Sequence, residues 1–478
     1  MCSSTKDVHP PRDIRSTNTD QLQELFHQAA AICAPVGVQL SIIKEEEQQD
    51  FVSGVANTEL CIPMMQDTVV QIGSTTKVLN AMMIMSLVEE GKLELDAPVR
   101  SYIPELELAH PQALGSITLR HLLSMSSGLD NGDYADYGVG DDAIAKRVAA
   151  LKTLPQHFKP GDYFGYSNAG VDIAGYVAER VTGRVWDDLL KERIFEPGGF
   201  KNAVSLDRDR MFQRVAVGHL LHPPERLGTV VRPWGLSRGS APAGSTLTMS
   251  AHDLAQFGRL FLSGGIAATG RRVISQSSID AMMRAHISVP VHHYGKSWCL
   301  GPFRNEWEGV ELWGHHGGNV SGVSFLYWIP RLQGVLACTM ACTIDAQSLA
   351  VFSRFERLIL QQVMRCVFGV GKPDIRPPAL PVEINRRRYV GAYDSLAGQC
   401  VVREINEQLV METRWEFTGK FSDTIALIPL GEDRFLIDKG ASADPRVMSE
   451  DMAFFGSDSE GRATNMLRVV FPSTRNSC

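Results

Sequence analysis

The stretch GSTTKVLNAMMIMSLVEEG, residues 73–91, decides the fold. It is apolar on nearly every side and ends at Gly91, a pattern typical of a helix buried at the centre of a protein. Ser74 and Lys77 lie three residues apart at its start, so they share one helical face. A lysine amine beside a serine hydroxyl can act as the base that activates it. The stretch therefore predicts both a central helix and a candidate nucleophile.

The Ser-x-x-Lys pattern occurs three times, and its context separates the copies. Ser3 and Lys6 lie in a polar N-terminal stretch. Ser41 and Lys44 lie on a predicted strand, where an odd separation sends the two side chains to opposite faces. Only Ser74 begins a helix, where backbone N–H groups and the positive end of the helix dipole could form an oxyanion hole. The alternative for this copy is a capping serine with a surface lysine.

Two further motifs carry groups suited to acyl transfer. Tyr166-Ser167-Asn168 follows a Pro-Gly turn. A tyrosine near a lysine can titrate low enough to relay protons, and an asparagine amide can hold a substrate carbonyl. Residues 314–318 read GHHGG between two predicted strands, and the backbone N–H of Gly318 would be free to donate there. The plain alternatives are a packed tyrosine and a glycine-rich bulge with two surface histidines.

The rest of the first 371 residues alternates strand and helix patterns around a helical middle. Strands are predicted at residues 38–43, 51–57, 310–313, 323–328 and 335–339, and helices at residues 21–33 and 349–368. Strand patterns at both ends with helices between them predict one sheet closed by the two ends of this region, with a helical insertion. The fold class is therefore α/β (α+β).

A proline-rich stretch then divides the chain. We expect a disordered tail at residues 1–20, a catalytic domain at 21–371, a linker at 372–384 and an all-β domain at 385–478. Within that last domain, strands are predicted at residues 399–405, 409–413, 424–430, 434–437 and 466–471. We expect the catalytic domain to fold without it.

Composition and charge exclude several classes of protein. Of 478 residues, 44% are hydrophobic and 21% charged, as in a soluble globular protein, and the net charge is −7. An acidic chain without a long basic run is a poor nucleic-acid binder. No apolar run reaches the ~18 residues needed to span a bilayer. The nine scattered cysteines and the polar N-terminus favour a cytoplasmic protein with reduced thiols.

These motifs together resemble the serine β-lactamase and penicillin-binding-protein superfamily over about residues 20–368. Its three boxes match in order as Ser74-Thr75-Thr76-Lys77, Tyr166-Ser167-Asn168 and His315-His316-Gly317, and the segments at residues 87–99, 117–129 and 181–183 resemble its flanking sequences. The resemblance implies an antiparallel sheet flanked by helices. Tyr389-Val390-Gly391-Ala392-Tyr393 is similar to the opening of the C-terminal lipocalin-like domain that many members carry.

The resemblance also implies roles for individual residues. Ser74 would form the acyl-enzyme, with Lys77 and Tyr166 moving its proton. The residues implied to bind substrate are Asn168, His315, Gly317 and Gly318. The implied substrate is a small-molecule ester or amide, or a peptide; no metal or cofactor is expected, and the oligomeric state stays open.

The third box departs from the Lys-Thr-Gly of many β-lactamases, and its register is ambiguous. His316-Gly317-Gly318 also fits, but Gly-His-x-Gly-Gly is the usual order in the family, which favours His315. His293-Tyr294-Gly295 fits by letters and is interpreted as a chance match. A histidine is mostly neutral near pH 7, so anionic β-lactams should be poor substrates, with partial recovery near pH 6 as His315 gains a proton.

Other kinds of functional site have weaker support in the sequence. Residues 235–239 read GLSRG, which matches the nucleophile elbow of α/β-hydrolases. That elbow needs a strand before it and a helix after it. Both are disfavoured here, because Pro233 precedes the stretch and Pro-Ala-Gly follows it. The histidine pairs at 292–293 and 315–316, and Cys338 with Cys342, lack metal-ligand spacing. An acyltransferase of secondary metabolism and an inactive binding protein remain the two alternatives to a hydrolase.

Overall fold

The computed structural model describes residues 19–222, 228–291, 294–373, 380, 382–396, 398–415, 424–438, 451–468 and 471–476. The expected tail before residue 19, most of the linker and His293 of the chance match lie outside the described residues. No helix of the described segments is long and apolar enough to cross a bilayer.

An antiparallel sheet forms the centre of the catalytic region. The nine described strands run, in spatial order, Ile62–Pro63, Glu47–Asn57, Gly37–Lys44, Gly334–Met340, Gly322–Ile329, Val310–Asn319, Phe303–Trp307, Ser297–Trp298 and Ile287–Ser288. Gly37–Lys44 pairs with Gly334–Met340, so strands from the two ends of the region meet in one sheet. The predicted fold class is confirmed.

Helices cover both faces of this sheet. The described α-helices are Thr19–Cys33, Thr76–Glu89, Pro111–Leu114, Leu119–Leu123, Ala143–Ala150, Asn168–Thr182, Trp186–Leu190, Glu196–Gly198, Asp207–Arg210, Ala251–Arg259, Gln276–Met283, Ala346–Leu358 and Met364–Phe368. Short 3₁₀ or π turns lie at Gly73–Thr75, Val99–Ser101, Leu151–Thr153, Lys191–Phe195, Arg238–Ser240, Pro330–Leu332, Ile359–Val363 and Arg386–Arg388. Small strand pairings join Val70–Gln71, Thr248–Met249 and Ala203–Val204, and separately His219–Leu220 and Thr229–Val230.

Side-chain alternation along the strands separates two hydrophobic clusters. Leu326 and Trp328 pack with the central helix Thr76–Glu89, whereas Phe325 and Tyr327 pack on the other face with helices from the two ends of the region. Every residue from Thr76 to Leu87 is buried, as an all-round apolar pattern predicts. The central helix is therefore surrounded by packed side chains on all sides.

Two local predictions were wrong. The first hairpin turns at Glu45, with φ 56°, and its second strand begins at Glu47, earlier than predicted. The GHHGG stretch lies inside the strand Val310–Asn319 instead of between strands. Because glycine has a low strand propensity, the sequence pattern predicted that the strand ends before Gly314. The strand continues because residues 314–319 pair with the strand Gly322–Ile329. Position 317 is a glycine because a Cβ there would lie 1.8 Å from the carbonyl oxygen of Ile72.

The C-terminal region is a closed antiparallel barrel, which confirms the predicted all-β domain. Its eight described strands are Gly391–Ser395, Gly398–Ile405, Gln408–Trp415, Ile425–Gly431, Arg434–Asp438, Asp451–Phe455, Asn465–Arg468 and Phe471–Arg475. Side chains including Tyr393, Met411 and Phe435 fill its interior. The sequence missed the first and sixth strands and merged the last two; the domain boundaries stay a prediction.

The barrel packs directly on the segment that leads to the Tyr166 motif. The Phe455 ring lies 4.6 Å from that of Tyr163 and 5.8 Å from that of Phe158. His157 Nδ1 lies 2.7 Å from Thr474 Oγ1, and its Nε2 lies 2.9 Å from the buried Asp130 carboxylate. Aromatic and buried polar contacts thus join the two regions.

This interface changes what we expect of a chain ending near residue 372. Removing the barrel exposes the buried Phe158, takes Phe455 from the half-exposed Tyr163 ring and removes Thr474 from His157. We expect the shortened chain to unfold at a lower temperature than the full chain and to aggregate, because it carries a new apolar patch. Thermal unfolding and light scattering measure this. Equal melting temperatures and equal solubility would support independent folding instead.

Candidate active site

Ser74 lies on the turn Gly73–Thr75, which runs directly into the central helix Thr76–Glu89. The helix therefore begins two residues later than predicted. The hydroxyls of Thr75 and Ser324 lie 2.8 Å apart, and Ser324 donates to the carbonyl of Ile72 at 2.7 Å. These buried hydrogen bonds hold the turn against the strand Gly322–Ile329. Ser74 itself is half-buried.

Lys77 lies one turn further along, against the serine. Its Nζ is 2.9 Å from Ser74 Oγ and donates to the carbonyl of Ala243 at 2.5 Å. Only 1% of Lys77 is exposed. Burial lowers the pKa of Lys77 to about 7, against the opposing effect of Asp172. A substantial fraction of the amine is therefore neutral near physiological pH and able to accept the serine proton.

Tyr166 completes a group of three around the nucleophile. Its hydroxyl is hydrogen-bonded to Ser74, and its ring centre lies 4.9 Å from Lys77 Nζ. Burial raises the pKa of Tyr166 well above its usual value. The expectation that it titrates low was wrong, because the loss of hydration outweighs its polar neighbours. The phenol stays protonated, so it can relay a proton only as an intact hydroxyl.

Asn168 lies at the start of the helix Asn168–Thr182. Ser167 caps this helix by accepting the Gly170 N–H at 3.0 Å. The Asn168 side-chain amide donates to the hydroxyl of Tyr134 at 3.4 Å, while its Oδ1 is buried with no hydrogen-bond partner among the described residues. That oxygen can accept an N–H from a substrate. Tyr134 was missed, because no sequence motif marks it.

Three glycines let the backbone converge beside Ser74. A Cβ on Gly73, whose φ is +53°, would lie 2.4 Å from the nitrogen of Gly318. A Cβ on Gly244, whose φ is +117°, would lie 2.9 Å from the nitrogen of Ser74. Side chains are therefore excluded where the Ser74 and Gly318 amides approach each other. Two backbone amides at this position are suited to an oxyanion hole.

The two histidines of the third motif lie on opposite faces of their strand. The His315 ring lies 5.5 Å from Trp298 and 6.4 Å from Tyr166, so His315 is on the side of the nucleophile. Its Nδ1 donates to the carbonyl of His316 at 2.5 Å, which leaves Nε2 as the acceptor nitrogen. His316 instead lies 2.9 Å from Glu356.

Burial also decides the charge of His315. Its side chain is fully buried, and burial together with the nearby Lys77 lowers the pKa of His315 well below its usual value. The imidazole is neutral near pH 7, as expected. This direction of the pKa shift is opposite to the one that a recovery of anionic substrates near pH 6 requires, so we do not expect that recovery.

Ser237, the serine of the GLSRG stretch, is held by hydrogen bonds to backbone N–H groups. Ser237 Oγ accepts the Gly239 N–H at 3.2 Å and the Tyr137 N–H at 3.0 Å. It caps a 3₁₀ turn, Arg238–Ser240, without the strand and helix that a nucleophile elbow requires. Within the described ranges, no group of three or more His, Cys, Asp or Glu side chains could hold a metal ion.

The pKa of Lys77 sets an expected pH dependence. If the neutral amine is the base, kcat/KM falls about tenfold per pH unit below the lysine pKa of about 7, because the protonated amine cannot accept the Ser74 proton. Hydrolysis of an uncharged ester, measured between about pH 5 and pH 9, tests this. A rate that is constant across the acid side of that range would contradict the assignment.

Comparison with known proteins shows which family and fold this chain is similar to. The family model for β-lactamases matches residues 22–345. Penicillin-binding protein 4 of Amycolatopsis lactamdurans is 31% identical over 76% of this chain and 94% of its own length. Esterase EstB of Burkholderia gladioli is 32% identical over 33% of this chain and 44% of its own. The crystal structure of SurE superposes with a TM-score of 0.77 at 22% identity, covering 96% of this chain and 99% of that one.

The chain therefore belongs to the β-lactamase family. This confirms the resemblance drawn from the three motifs. The SurE likeness covers nearly the whole chain, so it extends over the barrel as well as the catalytic region.

Proposed function

We propose that the protein is a serine hydrolase that forms an acyl-enzyme on Ser74 with an ester or amide of a small molecule or peptide. One observation carries the proposal: the amine of Lys77 lies 2.9 Å from Ser74 Oγ with a pKa of about 7. A nearly buried lysine in this state is a base matched to physiological pH. We also propose a cytoplasmic location, on the sequence grounds given above.

The reaction follows from the placement of these groups. Ser74 Oγ attacks the substrate carbonyl while its proton passes to Lys77 Nζ. The amides of Ser74 and Gly318 stabilise the oxyanion, and the intact hydroxyl of Tyr166 protonates the leaving group. As the leaving group departs, Lys77 passes its proton to Tyr166, so the phenol is not left ionised. Water then attacks the ester carbonyl, gives its proton to the same relay and releases the acid and Ser74.

The electrostatics favour uncharged substrates. His315 occupies the position where a lysine serves many β-lactamases, and its buried imidazole is neutral. Losing one charge-assisted contact weakens an anionic substrate by about 1.5–3 kcal/mol, or roughly ten- to a hundredfold. EstB, one of the relatives, is named as an esterase. Hydrolysis is proposed because water is always present as the acceptor.

Substrate preference tests this proposal. We expect kcat/KM for a p-nitrophenyl ester to exceed that for a chromogenic cephalosporin by about tenfold or more, near pH 6 as well as near pH 8. His315→Lys should narrow the gap near pH 6 by supplying a cation, and less so near pH 8, where burial favours the neutral amine. A wild-type protein that prefers the cephalosporin tenfold would overturn the proposed substrate class.

A further inference from the structure

The position of the Lys77 amine depends on a tight turn at residues 240–245. The N–H groups of Ala243, Gly244 and Ser245 all donate to the carbonyl of Ser240, at 3.1, 3.1 and 3.2 Å. This geometry presents the Ala243 carbonyl to Lys77 Nζ at 2.5 Å. Displacing the turn would move the oxygen that holds the amine.

A buried carboxylate fastens that turn. Ser240 Oγ donates to Asp172 Oδ2 at 2.9 Å. Asp172 lies on the helix Asn168–Thr182 and is fully buried, as is Arg147, whose Nε donates to the same oxygen at 3.3 Å. A buried ion pair of this kind adds little to stability compared with apolar residues of the same size. Its place behind the site points to a role in the reaction.

The arginine also fixes the loop above the site. Arg147 Nη1 pairs with Asp133, and a Cβ on Gly132 would lie 2.5 Å from Arg147 Nη2. Tyr134, which touches Asn168, follows directly in this loop. The same ion pair therefore contacts both the turn at residues 240–245 and the loop that carries Tyr134.

We propose that Asp172 is a positioning residue for Lys77. It acts through Ser240, whose turn presents the Ala243 carbonyl to the amine. The inference rests on the proposed acyl transfer, in which Lys77 is the base. Asp172 touches no reacting atom: it holds the turn through Ser240 and acts on Lys77 itself only through its charge.

The charge of Asp172 has a second effect, on the pKa of Lys77. Three titratable groups face Lys77: Asp172 from its helix, Tyr166 from the preceding segment and His315 from the strand. Tyr166 stays protonated and His315 neutral, so Asp172 is the group that favours the ammonium form. Removing its charge should lower the lysine pKa further.

Ser240 supplies the cleanest test. Ser240→Ala should lower kcat for an uncharged ester by about ten- to a hundredfold with little change in KM, because substrate contacts remain. Ser240→Thr, which keeps the hydroxyl, should restore most of the rate. Ser86→Ala is the matched control, since it removes a buried hydroxyl from the far end of the central helix and should leave kcat unchanged.

Asp172→Asn tests the charge. The acid limb of the pH profile should move to lower pH by about one pH unit, whereas Ser240→Ala should leave it in place. If Asp172→Asn does not fold, the Ser240 series still decides. Ser240→Ala with wild-type kcat would overturn the proposal, as would an unmoved limb in folded Asp172→Asn. Wild-type protein that fails to acylate at Ser74 would instead count against the proposed function itself.

Discussion

Ser74→Ala is expected to lower kcat for an uncharged ester by about 10⁴–10⁶, the loss seen when a covalent nucleophile is removed. Without Oγ, no acyl-enzyme forms. The backbone amides of residue 74 and Gly318 could then assist only the attack of an unactivated water on the substrate. The small residual rate would reflect substrate binding and the oxyanion hole alone.

Ser237→Ala is the matched control for this result. It removes a serine hydroxyl that caps a turn and accepts the Tyr137 N–H. The rate should stay within about threefold of wild type, as for a loss of local stability. Steady-state kinetics on both variants separates the two serines. A Ser74→Ala protein that keeps a tenth of wild-type kcat would contradict the nucleophile assignment.

The second large effect concerns Lys77 and Tyr166 as one relay. Both contact Ser74, by the 2.9 Å approach of Nζ and by the hydrogen bond of the phenol. Lys77→Ala and Tyr166→Phe should each lower kcat by about 10²–10⁴. Because the proton needs both groups, the double variant should be hardly slower than the slower single one.

A double-mutant cycle measures this coupling. Lys77→Ala and Tyr166→Phe are compared with the double variant under the same conditions, and circular dichroism confirms that each is folded. Losses that multiply in the double variant would mean that the two residues act independently.

The sequence was most informative where one local pattern determines burial. The all-round apolar run at residues 76–87 predicted a buried central helix, and alternation predicted strands such as Gly322–Ile329. The three motifs marked Ser74, Tyr166 and His315, which the fold brings together. Their spacing alone could not show this, since they are far apart along the chain; the family resemblance implied it.

Features that depend on distant partners were not predictable. The GHHGG stretch continues a strand because it pairs with Gly322–Ile329, and its Gly317 lies against the backbone of Ile72. The ionisation states of Tyr166 and His315 depend on how deeply the fold buries them. The buried pair of Arg147 and Asp172 has no local signature, because either charge alone is typical of an exposed helix.

The barrel was predicted by class but not in detail. Short strands such as Asp451–Phe455 carry weak patterns, and two adjacent strands were merged into one. Its contact with the Tyr166 segment, through Phe455 and Thr474, joins positions roughly three hundred residues apart. No single-sequence pattern encodes such a pairing.

Intact-mass analysis after treatment with a fluorophosphonate tests the central claim most directly. The wild-type protein should gain one adduct, and fragmentation should place it on Ser74. Ser74→Ala should gain none, while Ser237→Ala should be labelled like wild type. An adduct that persists in Ser74→Ala and disappears in Ser237→Ala would contradict the account.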